Sequence, residues 1–180
     1  MSARIAIFGA LLSTSLIAMA QAQAPKMQTI VYRGGVVEFS LPVRWVAEYG
    51  DQGGGVFWDP DANGGTLRLD LLTFEKGGNL GASPARSMLE SLRGEGVVRD
   101  LPHGNAVREY QSFAQENGEE LKQFYWEVAN FVAPNHLRLA IFSYTIHKAQ
   151  ERDATIQNEI ELLRKALPAA AFSDELGQLE

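Results

Sequence analysis

Apolar positions recur along the stretch from Leu121 to His147, as LKQFYWEVANFVA, a Pro134-Asn135-His136 break, and LRLAIFSYTIH. Both halves are rich in aromatic and β-branched residues, and Pro-Asn favours a turn, so the stretch predicts an antiparallel hairpin. Side chains alternate across a strand. In the second half Leu137, Leu139 and Ile141 therefore share one face, and Ala140, Phe142, Tyr144 and Ile146 the other. In the first, Phe124, Trp126, Val128 and Val132 oppose Leu121, Tyr125, Ala129 and Phe131. A strand wet on one side shows polar residues at every second position, and here both faces carry apolar ones. The expectation is a central pair covered on both faces by the rest of the chain.

Elsewhere the pattern is shorter in range. Strand signals cover 28–32 and 36–41, separated by the Gly34-Gly35 turn and closed by Pro42, with 45–47 following. Val56 to Trp58 comes after a triple glycine, and the turn-rich 59–65 leads into Thr66 to Phe74, whose Leu67, Leu69 and Leu71 oppose Thr66, Arg68 and Asp70. A glycine-rich loop, Glu75 to Gly81, precedes a helix with Ser83 as cap, Pro84 at its first position, Met88, Leu89 and Leu92 as its stripe, and Gly94 as its end. A short strand within 96–105, a strand 106–114 and the Asn117-Gly118 hairpin turn lead back to the central pair. The last element is a helix within 149–167, because Ile156, Ile160, Leu163 and Leu167 fall on one face, and Pro168 stops it. Residues 28–168 then form one domain, and the tail 169–180 has little reason to be ordered. Strands, helix, strands, helix, joined mainly by hairpin turns, predict an α+β fold: a three-layer α/β/α sandwich with a mainly antiparallel sheet of six to seven strands and helices on both faces.

The first twenty residues change the picture. Arg4 precedes an apolar run, Ile5 to Ala20, which ends in Ala18-Met19-Ala20, an A-x-A cleavage pattern, with Ala20-Gln21-Ala22 as a close alternative. Residues 1–20 (or 1–22) are therefore expected to be a cleaved export signal, the run being short for a spanning helix. The chain has no cysteine, so neither a disulfide nor a lipidated N-terminal cysteine can form. Its net charge is −6, or −7 without Arg4, with no basic block, which argues against nucleic acid and anionic membrane. These features imply a soluble periplasmic domain without a membrane anchor after cleavage.

The element order, together with the stretch Val37-Glu38-Phe39-Ser40-Leu41-Pro42-Val43-Arg44-Trp45, resembles the Mog/PsbP-like superfamily, whose members often open with a strand, a proline, two residues and a tryptophan. The resemblance spans 31–167. It implies an α/β/α sandwich and a binding or accessory role without catalysis, and it carries over no site residue, because that superfamily shares a scaffold and not a site.

Candidate chemistry is sparse. Asp59, Asp61 and Asn63 at alternate positions, then Gly64, match the first half of an EF-hand-type calcium loop, and Asp70 falls at its twelfth position. Against this, Thr66 stands where an apolar residue is usual, Asp70 is shorter than a bidentate Glu, and strands rather than helices flank the loop. A polar turn accounts for the same residues. His103, His136 and His147 lie apart, none at metal spacing. There is no Gly-x-Ser-x-Gly elbow and no phosphate loop. Trp45 and Trp58 read as core or sheet-face residues, or alternatively as the wall of a pocket or interface. The expectation is a non-enzymatic accessory domain without a cofactor, binding another periplasmic or envelope protein. The alternatives are a small-ligand binder or hydrolase using the sheet face near Trp45 and Trp58, and calcium binding at 59–70.

Overall fold

A computed structural model describes residues 25–51, 53–75 and 81–174. The expected export signal, the Gly77-Gly78 pair and residues 175–180 lie outside them. Ten strands and two α-helices follow in the order β1 (Met27–Tyr32), β2 (Val37–Pro42), β3 (Val46–Tyr49), β4 (Gly55–Trp58), β5 (Thr66–Glu75), α1 (Pro84–Ser91), β6 (Val97–Asp100), β7 (Ala106–Glu116), β8 (Glu119–Val132), β9 (His136–His147), α2 (Ala154–Ala166) and β10 (Ala171–Phe172). The fold is α+β. Its main sheet has seven antiparallel strands in the order β3-β4-β5-β9-β8-β7-β6, and a second sheet has the order β1-β2-β10.

The expected hairpin is the centre of the main sheet. Leu121 pairs with His147 and Val132 with His136 along an unbroken register, so His136 belongs to β9 and not to the turn. The β7–β8 turn uses Asn117 at φ 51° and Gly118 at φ 84°. Both central residues of a type I′ turn need positive φ, which Asn-Gly supplies.

One face of the main sheet is an aromatic and aliphatic core. Phe142, Tyr144, Leu67, Leu69 and Val128 are fully buried there, and Trp126 nearly so. The small sheet packs on this face, its Phe39 meeting Phe57 edge-on at 5.4 Å and Phe142 at 5.1 Å. Helix α2 completes the cover with Ile156, Ile160 and Leu163, followed by Leu167, the stripe expected from the sequence. Asp153 caps it, accepting from the Thr155 and Ile156 N–H groups.

The other face departs from expectation. Helix α1 packs Ala85, Met88 and Leu89 onto Ala106, Ala129, Leu137 and Leu139. It has only eight residues, about 12 Å of helix, against twelve residues and about 40 Å in β9. The central strands are therefore not covered along their whole length on this side: beyond Leu139 the face continues through half-buried Ile141, Ser143 and Thr145. The helix also stops earlier than Gly94, with Leu92 already extended (ψ 133°), and Ser83 makes no side-chain cap. One face thus carries a short helix and the other a sheet-plus-helix layer.

The domain also runs past Pro168. Ala170 is buried, Ala171 and Phe172 pair with Glu38 and Val37, and the buried Arg138 guanidinium donates to the Ser173 carbonyl at 2.5 Å. The expected tail thus starts later than 169, because β2 offers a free edge that two more residues close. If the aromatic face is the core described, Phe142→Ala should lower unfolding free energy by about 3–5 kcal/mol, read from the urea midpoint. An unchanged midpoint would contradict it.

Candidate functional site

The half of the sheet that α1 leaves open carries an ordered set of polar side chains. Tyr110 on β7 and Tyr125 on β8 are cross-strand partners, and their rings stack at 4.6 Å between centroids with planes 5° apart. Tyr125 Oη donates to Gln123 Oε1 at 3.2 Å, Ser112 Oγ donates to the same oxygen at 3.1 Å, and Gln123 Nε2 reaches Thr145 Oγ1 at 3.5 Å. Next to them along the strands, toward α1, Arg108 and Glu127 form a buried ion pair at 2.6–2.7 Å, and Tyr110 Oη donates to Glu127 at 3.0 Å. Burial, and then the Glu127 carboxylate, push the Tyr110 hydroxyl up to about 12. Exposed Arg68 and Asp70 on β5 stand beside this network, and with Gln123, Tyr125, Ser143 and Thr145 they line an open trough of about 520 Å³. At its end His147 Nδ1 lies 2.9 Å from Glu119, where a shallower hollow formed with Lys148 and Gln150 begins.

A second surface lies at the corner where the edges of both sheets meet. Strands β1 and β3 are edge strands, and every residue of β3 is exposed. Tyr32 and Tyr49 come together at 6.0 Å, and Tyr32 Oη accepts from the Gly54 N–H at 2.7 Å. Arg33 sits in the left-handed region at φ 45°, its guanidinium 5.7 Å from the Tyr32 ring and laid over Gly53, where a Cβ would stand 2.0 Å from Nη2. A non-glycine residue at positive φ is a strained conformation of the kind that clusters at functional sites. Val31 is 55% and Tyr49 51% exposed. The cleft they share with Gly50, Asp51, Gly53 and Gly54 holds about 420 Å³.

The residues singled out from sequence are placed otherwise. Asp59 is buried and paired with Arg44 at 2.5 Å, and its other oxygen accepts from the Asp61 N–H at 3.1 Å. Asp59 and Arg44 lie beside Glu159 of α2, on the core side, while Asp70 alternates with the core residue Leu69 and so faces the opposite side of the sheet. Asp61 and Asn63 are exposed, and the Asn63 carbonyl accepts from Gln150. The four oxygens of the calcium-like loop do not converge, and among the described residues no three His, Asp or Glu side chains gather to hold a metal ion. Trp45 is a core residue, 4% exposed and stacked on Tyr144, and Trp58 is half-buried in β4 opposite Val46. The three histidines remain apart in 103, 136 and 147, at a turn and at the two ends of β9.

Neither surface was singled out by sequence reasoning. The trough had a signal: Ser143 and Thr145 are polar at alternate positions among Ile141, Phe142, Tyr144 and Ile146. The buried charge on α2 had one too, since Glu159 lies three residues after Ile156 on the apolar stripe. Tyr144 Oη donates to Glu159 and accepts from the Gly65 N–H at 2.9 Å. Gly65 is required there, because a Cβ would meet the Tyr144 ring at 2.4 Å.

No family model matches the chain, and no curated protein matches it. Solved structures do. A protein of Bacteroides thetaiotaomicron VPI-5482 superposes with TM-score 0.55 at 15% identity over 83% of this chain, which spans about half (49%) of that protein's length. LpqN of Mycobacterium tuberculosis, described as involved in cell envelope biogenesis, superposes with TM-score 0.50 at 11% identity, covering 82% of this chain and 91% of its own. The fold is shared with these two structures. Cyanobacterial PsbP (CyanoP) of Synechocystis sp. PCC 6803 is among the matches, at 12% identity over 89% of this chain and 98% of that one, with a TM-score of 0.39 that is too loose to inform any site. At these identities the likeness reaches the fold and no further. Among the described residues no helix is long and apolar enough to cross a membrane.

Burial pushes the Glu159 carboxyl above the usual carboxylate range; the Tyr144 hydroxyl and Arg44 pull it back, and Asp59 adds to the rise. An acid with a raised folded pKa favours the fold while protonated. Its contribution is complete below the unfolded carboxyl pKa of about 4.3 and is lost as pH rises through the folded value. Stability of the wild type should therefore fall relative to Glu159→Gln as pH rises from about 4, in urea midpoints measured at successive pH values. Parallel curves would contradict this.

Proposed function

We propose that the chain is an exported, non-enzymatic accessory domain that holds another envelope protein at the corner formed by β1, β3, the 33–35 turn and Gly50, Asp51, Gly53 and Gly54. The observation that carries this reading is the coincidence there of two open strand edges, exposed Val31 and Tyr49, and a strained Arg33. Exposed edges are ready templates for a further strand, and an extended segment of a partner can add to one by main-chain hydrogen bonds while side-chain pockets select it. Tyr and Arg are the side chains most often found to dominate such contacts. The apolar run Ile5 to Ala20 with its A-x-A end supports export to the periplasm, with cleavage after residue 20 or 22. The shared fold with a protein described as involved in cell envelope biogenesis supports an envelope partner. In this reading α1 and α2 are the outer layers of an α/β/α sandwich, and the small sheet fills the rest of the α2 side.

A photo-crosslinking residue at Tyr49, compared with one at Val97 on the opposite sheet edge, tests the surface in intact cells; Val97 is 72% exposed and so equally accessible. A discrete adduct with an envelope protein is expected from position 49 alone, and it should be lost on Arg33→Glu. Adducts from position 97 alone, from both positions equally, or from neither would count against the corner.

A further inference from the structure

The trough has its own chemistry, apart from the strand edges of the corner, although Asp70 on its rim neighbours Gly54 of that corner. We propose that it is a binding site for a neutral saccharide, with Tyr125 as the stacking ring and Gln123, Ser143, Thr145, Arg68 and Asp70 as its hydrogen-bonding floor and wall.

Four observations carry this. First, the trough lies over β5, β9 and β8, the interior strands of the main sheet, whose backbones are paired on both sides. No peptide strand can add there, so a ligand must be read by side chains. Second, those side chains are hydroxyls and an amide, able both to donate and to accept, the pairing that a ring of hydroxyl groups requires. Third, they are held in place before any ligand arrives. Gln123 Oε1 accepts from both Ser112 and Tyr125, which fixes the amide and turns its N–H₂ toward Thr145. Fixed polar groups lower the ordering cost of binding. Fourth, Tyr125 is a wall with one side free. Tyr110 covers the ring from β7, while its neighbour on β9 is Ser143, too short to rise beside a tyrosine ring. Both Tyr125 and Ser143 line the trough, so the space over Ser143 is open and bounded by an aromatic face.

Charge selects among polar ligands. Arg68 and Asp70 stand two residues apart on the same face of β5, one cation beside one anion, and Glu116 and His147 also line the trough. A phosphate or an acidic sugar would meet Asp70 and a basic ligand would meet Arg68, whereas a neutral sugar accepts from one and donates to the other. The volume of about 520 Å³ falls within the range of small-ligand sites.

The test is an NMR titration of the full chain, isotope-labelled, with maltotetraose, cellotetraose and chitotetraose, each to about 10 mM, enough to occupy a site of millimolar Kd. Saturable shifts are expected at the Gln123, Tyr125, Ser143 and Thr145 amides with at least one of the three. Tyr125→Ala should weaken that binding about tenfold. Ser143→Tyr, which fills the open space without touching the core, should abolish it; if either variant fails to fold, the wild-type shift map decides alone. No saturable shift at these residues with any of the three sugars would overturn the proposal, as would shifts confined to the corner residues or unchanged binding by folded Ser143→Tyr. The same residues moving with tetraglycine and with no sugar would also overturn it. The corner crosslink is unaffected by any of these results, so the two readings fail separately.

Discussion

Side chains of a strand alternate between faces, so every aromatic residue that β9 and β8 give to the core sends its neighbour to the other side of the sheet. Phe142 and Tyr144 fix Ser143 and Thr145, and Phe124 and Trp126 fix Gln123 and Tyr125. The core decides the register, because a slip of one residue would turn Trp126, Phe142 and Tyr144 into water and bring the polar set inside. Burying three such rings outweighs any preference of the polar face, each being worth a few kcal/mol. The trough thus inherits its geometry from packing on the far side of the same strands.

Two buried polar clusters show how the fold tolerates charge inside it. Arg108 and Glu127 pair in two contacts between the trough and α1, with Tyr110 and the Leu92 carbonyl taking further bonds, so the desolvated ions are well satisfied. Glu159 is less complete: one oxygen takes the Tyr144 hydroxyl, while the other is buried without a hydrogen bond and 4.0 Å from Arg44. Burial raises the Glu159 pKa, and its hydrogen bond to Tyr144 offsets only part of that rise. Glu159 also ties the 59–65 loop to α2, through Arg44–Asp59 on one side and the Gly65 N–H on the other.

Much of the fold was legible in the sequence. The central hairpin, its face assignment, the Asn117-Gly118 turn and the α2 stripe all rest on local periodicity or on turn residues with fixed backbone demands. What was not legible depends on contacts distant in sequence. The pairing of Ala171–Phe172 with β2 joins residues 38 and 171, and two residues carry no strand signal of their own. The trough needs β5, β7, β8 and β9 in register before Arg68, Tyr110, Gln123 and Ser143 become neighbours. The length of α1 decided how much of that face stayed open, and helix ends are weakly encoded here, since Ser83 does not cap and Leu92 leaves the helix before Gly94. The Asp59–Asp70 spacing, in turn, suggested convergence that a strand cannot deliver, because an Asp on one face of a sheet cannot meet a loop carboxylate on the other.

The central claim is that the two faces of β9 differ, one closed and one open beyond the reach of α1. The chain has no cysteine, so single-cysteine variants report accessibility without background. Thiol labelling of native Ser143→Cys and Thr145→Cys should proceed at a rate close to that of the unfolded chain, while Ala140→Cys, on the fully buried face, should label only through unfolding. Protection of Ser143→Cys equal to that of Ala140→Cys would contradict the account.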